Sequence, residues 1–559
     1  MECNEASLSR RKFIYGGVAL AAGAVGLRLG DYQILNGEEY RARADSRRRT
    51  SETLYAKRGT IYDRNGNVLT SSVECKNVYV NPPYIKKKDR RRAIDALSEV
   101  LGMPRDVVRD LVDSEQNFQY IKRRVDEEDA ETLSKLGIEG MGFEPAVKRV
   151  YPNGNLASQL LGTVNVDNIG ASGIEQHYND VLTGKNGELS REKALRGGFI
   201  AGGEYEKTPA EDGMDLVLSI DVNIQRAAEE AIAEVVERVD AKNGSVMVVD
   251  PTNGEILCAC SYPTFDPTDT DSADIADFNL RMVTDVYEPG SVFKSFVTAA
   301  AIEHEGMTPD TSFNVPAMVR VGDDEVRDAD KRDYSMTMTL REMMRRSSNT
   351  GLVLVGEKIG ADDFDKHVIG DFGFGTSTGI DFPGESLGII KKRSEYDGAT
   401  LGSMSFGQAL AVEPVQMVRA MSAIANKGVM TTPHFVKARA GEELDWTSGE
   451  KRAISAETAA AVASMMLTVV DEGTGELAQV PGYEVSGKTG TAERAAEGQK
   501  GYLEDNYMSS FMGFVSTSDP RVLCYVTLDG TAAGSDAATP VFRKIMDTAL
   551  PTLGIKPTR

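Results

Sequence analysis

The chain has 559 residues, 41% of them hydrophobic, and carries 63 Lys and Arg against 85 Asp and Glu, a formal net charge of −22. That length exceeds one domain's usual size, and the apolar fraction supplies sizeable cores. The acidic balance argues against nucleic acid as a partner and against broad adhesion to anionic lipid.

The N-terminus opens with Arg10-Arg11-Lys12, then runs from Phe13 to Leu27 without a charge. Twenty apolar residues span a bilayer comfortably; this run is shorter and gains reach if Arg28 snorkels. Basic residues ahead of it favour an N-in orientation. The reading is a cytoplasmic tail at 1–12 and an uncleaved membrane anchor at 13–29. Ser9-Arg10-Arg11-Lys12-Phe13-Ile14 is also similar to a twin-arginine leader, with Ala22-Gly23-Ala24 as a cleavage site, so a removed leader is the alternative.

Residues 30–215 are charged and mixed. Segments 90–101, 104–112 and 126–136 read as amphipathic helices, with Pro104 opening the second. Gly197, Gly198, Gly202 and Gly203 mark a flexible crossing. From Leu216 the pattern changes. A strand at 216–220 precedes a helix at 224–239. A hairpin follows, with strands at 244–250 and 255–260 around the turn Pro251-Thr252-Asn253-Gly254. Strands at 483–491, 509–515 and 522–528 come last. The hairpin and these three predict a five-stranded antiparallel sheet flanked by helices, in a multidomain α/β (α+β) chain. The charged segment 316–333 is expected to shield a cleft mouth.

Ser291-Val292-Phe293-Lys294 follows the Pro289-Gly290 turn and opens an apolar run that ends near Gly306. An S-x-x-K string occurs by chance roughly twice in a chain this long. It recurs here at Ser9, Ser190 and Ser448, but those sit in a basic leader or in charged stretches. A serine in a first helical turn lies against free N–H groups and the positive dipole end, and Lys294 shares its helix face. A serine hydroxyl needs a base. Lysine can serve if desolvation or a nearby cation lowers its pKa. Phe293 and Phe296 can exclude water, and Lys488 can supply the cation.

Two later strings fit that chemistry. Ser347-Ser348-Asn349 follows a helical stretch; alone it reads as a helix cap. In company, Ser347 can relay a proton and the Asn349 amide can hold a substrate. Lys488-Thr489-Gly490-Thr491 reads as an edge-like strand. It offers a cation and hydroxyls to a carboxylate, with Gly490 leaving room for substrate backbone. The four histidines, His177, His304, His367 and His434, lie outside these strings, so a Ser-His-Asp mechanism is not expected. Cys3, Cys75, Cys258, Cys260 and Cys524 contain no pair of C-x-x-C units. No structural zinc, other metal or cofactor is expected. Cys258 and Cys260 alternate on one strand face and read as core.

The three strings match the set shared by penicillin-binding proteins and class A β-lactamases. Tyr287-Glu288-Pro289-Gly290-Ser291 resembles the nucleophile segment of the cell-division type. So do Phe372-Gly373-Phe374-Gly375, Thr378-Gly379-Ile380-Asp381, Pro383-Gly384-Glu385, Ser405-Phe406-Gly407-Gln408 and Gly473-Thr474-Gly475. Upstream, Arg58-Gly59-Thr60-Ile61-Tyr62-Asp63-Arg64-Asn65-Gly66, Arg149-Val150-Tyr151-Pro152-Asn153-Gly154 and Gly170-Ala171-Ser172-Gly173-Ile174-Glu175 resemble the three boxes of class B penicillin-binding proteins. The resemblance, to the septal branch of that class, runs from about Arg58 to the C-terminus.

It implies a penicillin-binding transpeptidase fold over 216–559 behind a mixed α/β pedestal of the class B dimerisation type at 30–215. It implies a serine D,D-transpeptidase that cross-links peptidoglycan stem peptides ending in D-Ala-D-Ala and is acylated by β-lactams. Ser291 would be the nucleophile, Lys294 the base, Ser347 the relay and Asn349 a holder of the donor peptide. Lys488, Thr489 and Thr491 would recognise the D-Ala carboxylate, with Gly490 a substrate-binding position beside them. The N–H groups of Ser291 and Thr491 would form the oxyanion hole. Arg58, Arg149 and Glu175 would brace pedestal against catalytic domain. A SEDS-type multi-pass lipid-II polymerase and other divisome proteins would be partners at the septal plasma membrane, with the catalytic part extracytoplasmic.

The polar loop 529–536 departs from the family, which often has a Pro-containing stretch there. A β-lactamase would need a deacylating carboxylate, and the string expected for class A is missing. A bifunctional protein would carry an E-D-x-x-F string, also missing. A D,D-carboxypeptidase uses the same residues with water as acceptor and stays open. A divisome scaffold would need none of the five catalytic side chains.

Overall fold

The computed structural model describes residues 5–40, 49–192, 205–495, 502–515, 519–532 and 537–559. The glycine crossing at 197–203 and positions 533–536 of the polar loop lie outside them. The chain divides into two compact units, 1–57 with 74–147 and 184–212, and 58–73 with 148–183 and 213–559.

In the first unit a helix spans Glu5–Gly30 and passes into a π-helical turn, Asp31–Leu35. Lys12–Leu35 is long and apolar enough to cross a membrane, with mean hydropathy 1.5 over its most apolar window. At 1.5 Å per residue it measures about 36 Å, more than a hydrocarbon core of about 30 Å. Helix therefore continues through Arg28, where the uncharged run alone fell short. Phe13, Leu20 and Leu27 are 84%, 78% and 80% exposed, so among the described residues no protein surface covers the apolar run.

The three amphipathic segments fold as helices Lys87–Leu101, Arg105–Val112 and Glu127–Ser134. Leu97, Leu101, Val108, Val112 and Leu133 pack with Val78, Val80, Ile121 and Val125 of two paired strands. Gly102 closes the first helix in the left-handed region (φ 64°), a conformation glycine adopts without a Cβ clash. A separate antiparallel trio joins Arg49–Leu54, Gly187–Glu192 and Tyr205–Thr208.

The second unit holds the expected five-stranded sheet. Its strands are β1 (Asn243–Val249), β2 (Ile256–Tyr262), β3 (Val485–Ala495), β4 (Tyr502–Val515) and β5 (Val522–Thr531). The order is β2-β1-β5-β4-β3, antiparallel throughout. Helix α1 (Val222–Val239) is capped by Asp221, whose carboxylate accepts the N–H of Asn223 at 2.8 Å. Its residues Ile224, Ala228, Ile232 and Val235 recur at helical spacing and pack on one sheet face with the C-terminal helix Ala538–Thr552. Cys258, Cys260 and Cys524 are buried, free thiols in that same core. The opposite core surrounds α2 (Lys294–Glu305), with α3 (Leu340–Arg346), α4 (Asn349–Ile359) and α5 (Ala456–Glu472).

The contacts divide at 212/213, beside the expected boundary at residue 215, and they divide at further points upstream. Segments 58–73 and 148–183 fall in the second unit. The reason is hydrophobic: Ile61, Leu69, Leu160, Leu161, Ile174 and Leu182 join the same core as Phe293 and Phe296. Those two segments contain the three upstream boxes. Arg58, Arg149 and Glu175 meet inside one unit. Arg58 Nε donates to one Glu175 oxygen, and Arg149 Nε donates to the other at 2.6 Å. Arg58 also reaches Thr183 Oγ1 at 2.6 Å and Asn179 Oδ1 at 2.9 Å. All three charged side chains are 0–1% exposed.

One carboxylate thus neutralises two buried guanidiniums. Glu175→Gln leaves both uncompensated and is expected to cost about 3–5 kcal/mol. Trp446, the only tryptophan, lies in this unit stacked on His434. Its fluorescence in a urea titration should show the lowered midpoint. An unchanged midpoint would sink the prediction.

Candidate active site

Ser291 sits in a 3-10 turn, Gly290–Phe293, that leads directly into α2 at Lys294. Gly290 holds φ 56°, and a Cβ there would meet the Thr491 carbonyl at 3.1 Å. The turn that holds Ser291 therefore abuts edge strand β3. Gly407 supports it from another side: Gly290 N–H donates to Gly407 O at 3.0 Å, and a Cβ on Gly407 would strike Gly290 O at 2.0 Å. The Ser405-Phe406-Gly407-Gln408 string thus buttresses the serine. Ser291 is half-buried.

Lys294 is fully buried. Phe293 and Phe296 meet edge to face at 5.7 Å, and Phe374 lies within 5.2 Å of each ring. Phe372 adds a ring at 5.1 Å from Phe296. The water-excluding role expected of two phenylalanines is shared by four.

Ser347 ends α3 in the left-handed region (φ 58°), an uncommon conformation for a residue with a Cβ. Ser348 then caps α4 by accepting Gly351 N–H at 3.0 Å. The cap reading therefore applies to Ser348, and Ser347 is released for other partners. Lys294 Nζ donates to Ser347 O at 2.7 Å, Ser347 Oγ at 3.3 Å and Asn349 Oδ1 at 2.6 Å. Lys488 Nζ donates to the same Ser347 Oγ at 2.9 Å. One hydroxyl thus bridges two buried amines. Among the described residues no hydrogen bond joins Ser291 to Lys294.

On β3, Ser486, Lys488 and Gly490 face the helices, while Gly487 lies against Phe511 on the opposite face, as a period of two requires. Gly490 was expected to make room for substrate backbone. A Cβ there would instead meet Ser510 Oγ at 2.3 Å and Val292 at 3.0 Å, so the protein's own packing uses that space. Thr491 is exposed and Thr489 half-buried. Thr489 Oγ1 pairs with Thr474 Oγ1 at 2.7 Å, which ties the Gly473-Thr474-Gly475 string to this strand.

Burial is the main cause holding Lys294 well below the usual lysine range; the charge of Lys488 adds to it and Asp328 opposes it. Burial likewise brings Lys488 down to about 7. Two neighbouring amines in an apolar pocket cannot both stay charged at neutral pH without large cost.

Asp328 is a site residue that sequence reasoning missed. The segment read as a shield sends this carboxylate beneath α4. It accepts Thr350 N–H at 2.9 Å, Ser348 O–H at 2.8 Å and Arg332 Nη2 at 3.1 Å. Burial pushes its pKa up, but those hydrogen bonds win and hold it below the usual range. The one available sign was the i, i+4 spacing of Asp328 and Arg332. Asn349 is less free than expected. Its carbonyl serves Lys294, and one amide N–H goes to Arg327 O at 3.2 Å. That leaves its other N–H for a ligand. At the rival string, Lys451 Nζ is engaged by the carbonyls of Gly370 and Asp371, so Ser448 and Lys451 form no comparable pair.

Known proteins are similar to this chain in sequence and fold. The profile of the penicillin binding protein transpeptidase domain matches residues 244–547, and that of the penicillin-binding protein dimerisation domain matches 53–218. A relative from Neisseria meningitidis named probable peptidoglycan D,D-transpeptidase PenA is 32% identical over 522 residues, covering 92% of this chain and 88% of its own. Stage V sporulation protein D of Bacillus subtilis is 32% identical over 554 residues, covering 95% and 84%. The crystal structure of penicillin binding protein 3 from Mycobacterium tuberculosis, complexed with aztreonam, superposes with a TM-score of 0.70 at 26% identity, covering 91% of this chain and 98% of that one.

Proposed function

This chain belongs to the class B penicillin-binding proteins, and from that premise we propose what its site does with each residue. It is a serine D,D-transpeptidase of peptidoglycan. The observation that carries the assignment of roles is the Ser347 hydroxyl, which accepts Lys488 and contacts Lys294 at once.

With Lys294 neutral and Lys488 charged, Ser347 accepts from Lys488, the Lys294 N–H groups serve Ser347 O and Asn349 Oδ1, and the one Lys294 lone pair is kept for the Ser291 proton. Lys294 takes the Ser291 proton as Oγ attacks the penultimate D-Ala carbonyl. The N–H groups of Ser291 and Thr491 receive the oxyanion; one such donor is typically worth about 3–4 kcal/mol. The C–N bond breaks, Ser347 passes a proton to the departing D-Ala nitrogen, and an ester on Ser291 remains. An amine of a neighbouring stem then attacks that ester, loses a proton by the reverse route and regenerates Ser291. Lys488, Thr489 and Thr491 hold the terminal carboxylate, with Thr474 steadying Thr489. The spare Asn349 N–H holds the donor peptide.

The same site takes β-lactams. The helix Glu5–Gly30 fits a single membrane anchor. The role we assign is septal cross-linking, with a multi-pass lipid-II polymerase supplying glycan strands.

Intact mass after incubation with benzylpenicillin tests this reading. A persistent adduct of one drug per chain is expected. Rapid turnover without an adduct would mean a β-lactamase, and neither adduct nor turnover would leave the scaffold reading. D-Ala release that does not depend on an added amine acceptor would mean a carboxypeptidase.

A further inference from the structure

We infer that His304, His367 and Asp371 form a binding site for a divalent transition-metal ion, zinc by preference, at the far end of the nucleophile helix. Their donor atoms lie within 4.8 Å of one another. Asp371 Oδ2 is 2.7 Å from His367 Nδ1 and 3.8 Å from His304 Nε2. The two imidazoles stack with centroids 3.5 Å apart and planes 20° from parallel. A tetrahedral zinc ion with ligands at about 2.0–2.2 Å places its donors about 3.3 Å apart. The 2.7 and 3.8 Å spacings bracket that value; coordination requires the stacked rings to turn so that both nitrogens point at one ion, with water as the fourth ligand.

The setting is built for the purpose in three ways. His304 sits in the last turn of α2. His367 lies in a π-helical segment, Asp365–Gly370, with Asp371 immediately after it. π-Helical insertions are rare and frequently mark functional sites. Buried Phe364, Val368 and Ile369 fix that segment to the core. Lys451 Nζ holds the carbonyls of Gly370 and Asp371 at 2.9 and 3.0 Å. Glu303, next to His304, is engaged by Ser455 and Thr458 and does not compete. Two imidazole nitrogens and one carboxylate oxygen make a mixed N/O donor set that suits a divalent transition metal.

The ion would clip the end of α2 to the segment 365–371. His304 is ten residues beyond Lys294, about 15 Å along the helix, so the ion touches no reacting atom. Its effect is on stability, and acylation without metal should be unchanged by loss of the site.

The test uses full-length protein in detergent, purified without a histidine tag and stripped with EDTA. Zinc is titrated calorimetrically, and cobalt serves as a spectroscopic probe. One zinc per chain is expected, with an intense tetrahedral Co2+ absorption band and a raised melting temperature. His304→Asn and His367→Asn should each weaken binding at least tenfold and abolish the melting shift, while still reacting with benzylpenicillin as a check of folding. Asp371→Asn gives an independent variant. The inference is overturned if wild type binds zinc no better than the His304→Asn/His367→Asn double variant. A cobalt spectrum of the hexaaqua type would overturn it equally.

Discussion

Acylation by benzylpenicillin is expected to vanish in Ser291→Ala, with a loss on the order of 10⁴–10⁶-fold. Everything else in the site acts through this oxygen. Lys294 can remove a proton only from a group that then attacks, and the oxyanion donors stabilise charge only after a bond to carbon forms. The fold should hardly notice. Among the described residues the Ser291 hydroxyl makes no hydrogen bond, so its removal orphans no partner, and the stability change should lie within about 0.5 kcal/mol. Intact mass and a thermal melt on the same sample separate the two effects. An adduct that survives in Ser291→Ala would place the nucleophile at another serine and break the argument built on the Lys294–Ser347–Lys488 bridge.

Lys488→Met should have opposite effects on stability and on catalysis. The amine falls from its ordinary 10.5 to about 7 because burial penalises its charge. Between those values the unfolded chain holds a proton that the fold does not, so stability rises with pH across that window. Below about pH 7 both states are protonated and the full cost of burying the ammonium stands; above 10.5 it is gone. Methionine fills similar volume without charge and is expected to stabilise the protein by about 1–4 kcal/mol at pH 6, and by clearly less at pH 9. Catalysis should fall on the order of 10³-fold, because the D-Ala carboxylate loses its cation and Ser347 loses the donor that orients it. Melting temperatures at the two pH values give the sign. A gain that stays the same at the two pH values would mean that Lys488 remains charged in the fold throughout, and would overturn the prediction. In the wild type, transpeptidation should decline on the alkaline side with an apparent pKa near 7, as Lys488 loses its proton.

These effects trace to features of unequal legibility. The five strands of the catalytic sheet were readable because short apolar runs between turn residues fix local conformation. Strand β3 read as edge-like, and it lies at the sheet edge. The amphipathic helices were readable by spacing, with ends shifted by a few residues. Ser348 shows the limit of local reading. A string of two serines and an asparagine says that a cap is near, yet whether Ser347 or Ser348 performs it depends on the left-handed turn at Ser347. That turn is held by contacts from Lys294 and Lys488.

The second unit also takes in two segments that the sequence groups with the region before residue 215. Segments 58–73 and 148–183 are charged enough to match their neighbours in composition, so the chain reads as one region to residue 215. Their few apolar side chains decide otherwise, because burial against the α2 core outweighs sequence adjacency. Asp328 escaped notice for the same cause: a carboxylate in a charged segment looks solvated until its partners, Thr350 and Ser348, close around it.

What the sequence determined by itself was the chemistry available, two serine hydroxyls, two lysines and an amide in a fixed order, together with the strands and helices that carry them. Those follow from short-range rules, the period of a helix or strand and the dihedral preferences of turn residues. Only the tertiary structure decided how that chemistry is set. Lys294 meets Ser347 across 53 residues and Lys488 meets it across 141, and the phenylalanines that dry the pocket come from separate segments. A depressed lysine pKa is a property of that enclosure, since desolvation and like-charge repulsion act through space and are absent from the chain until it closes.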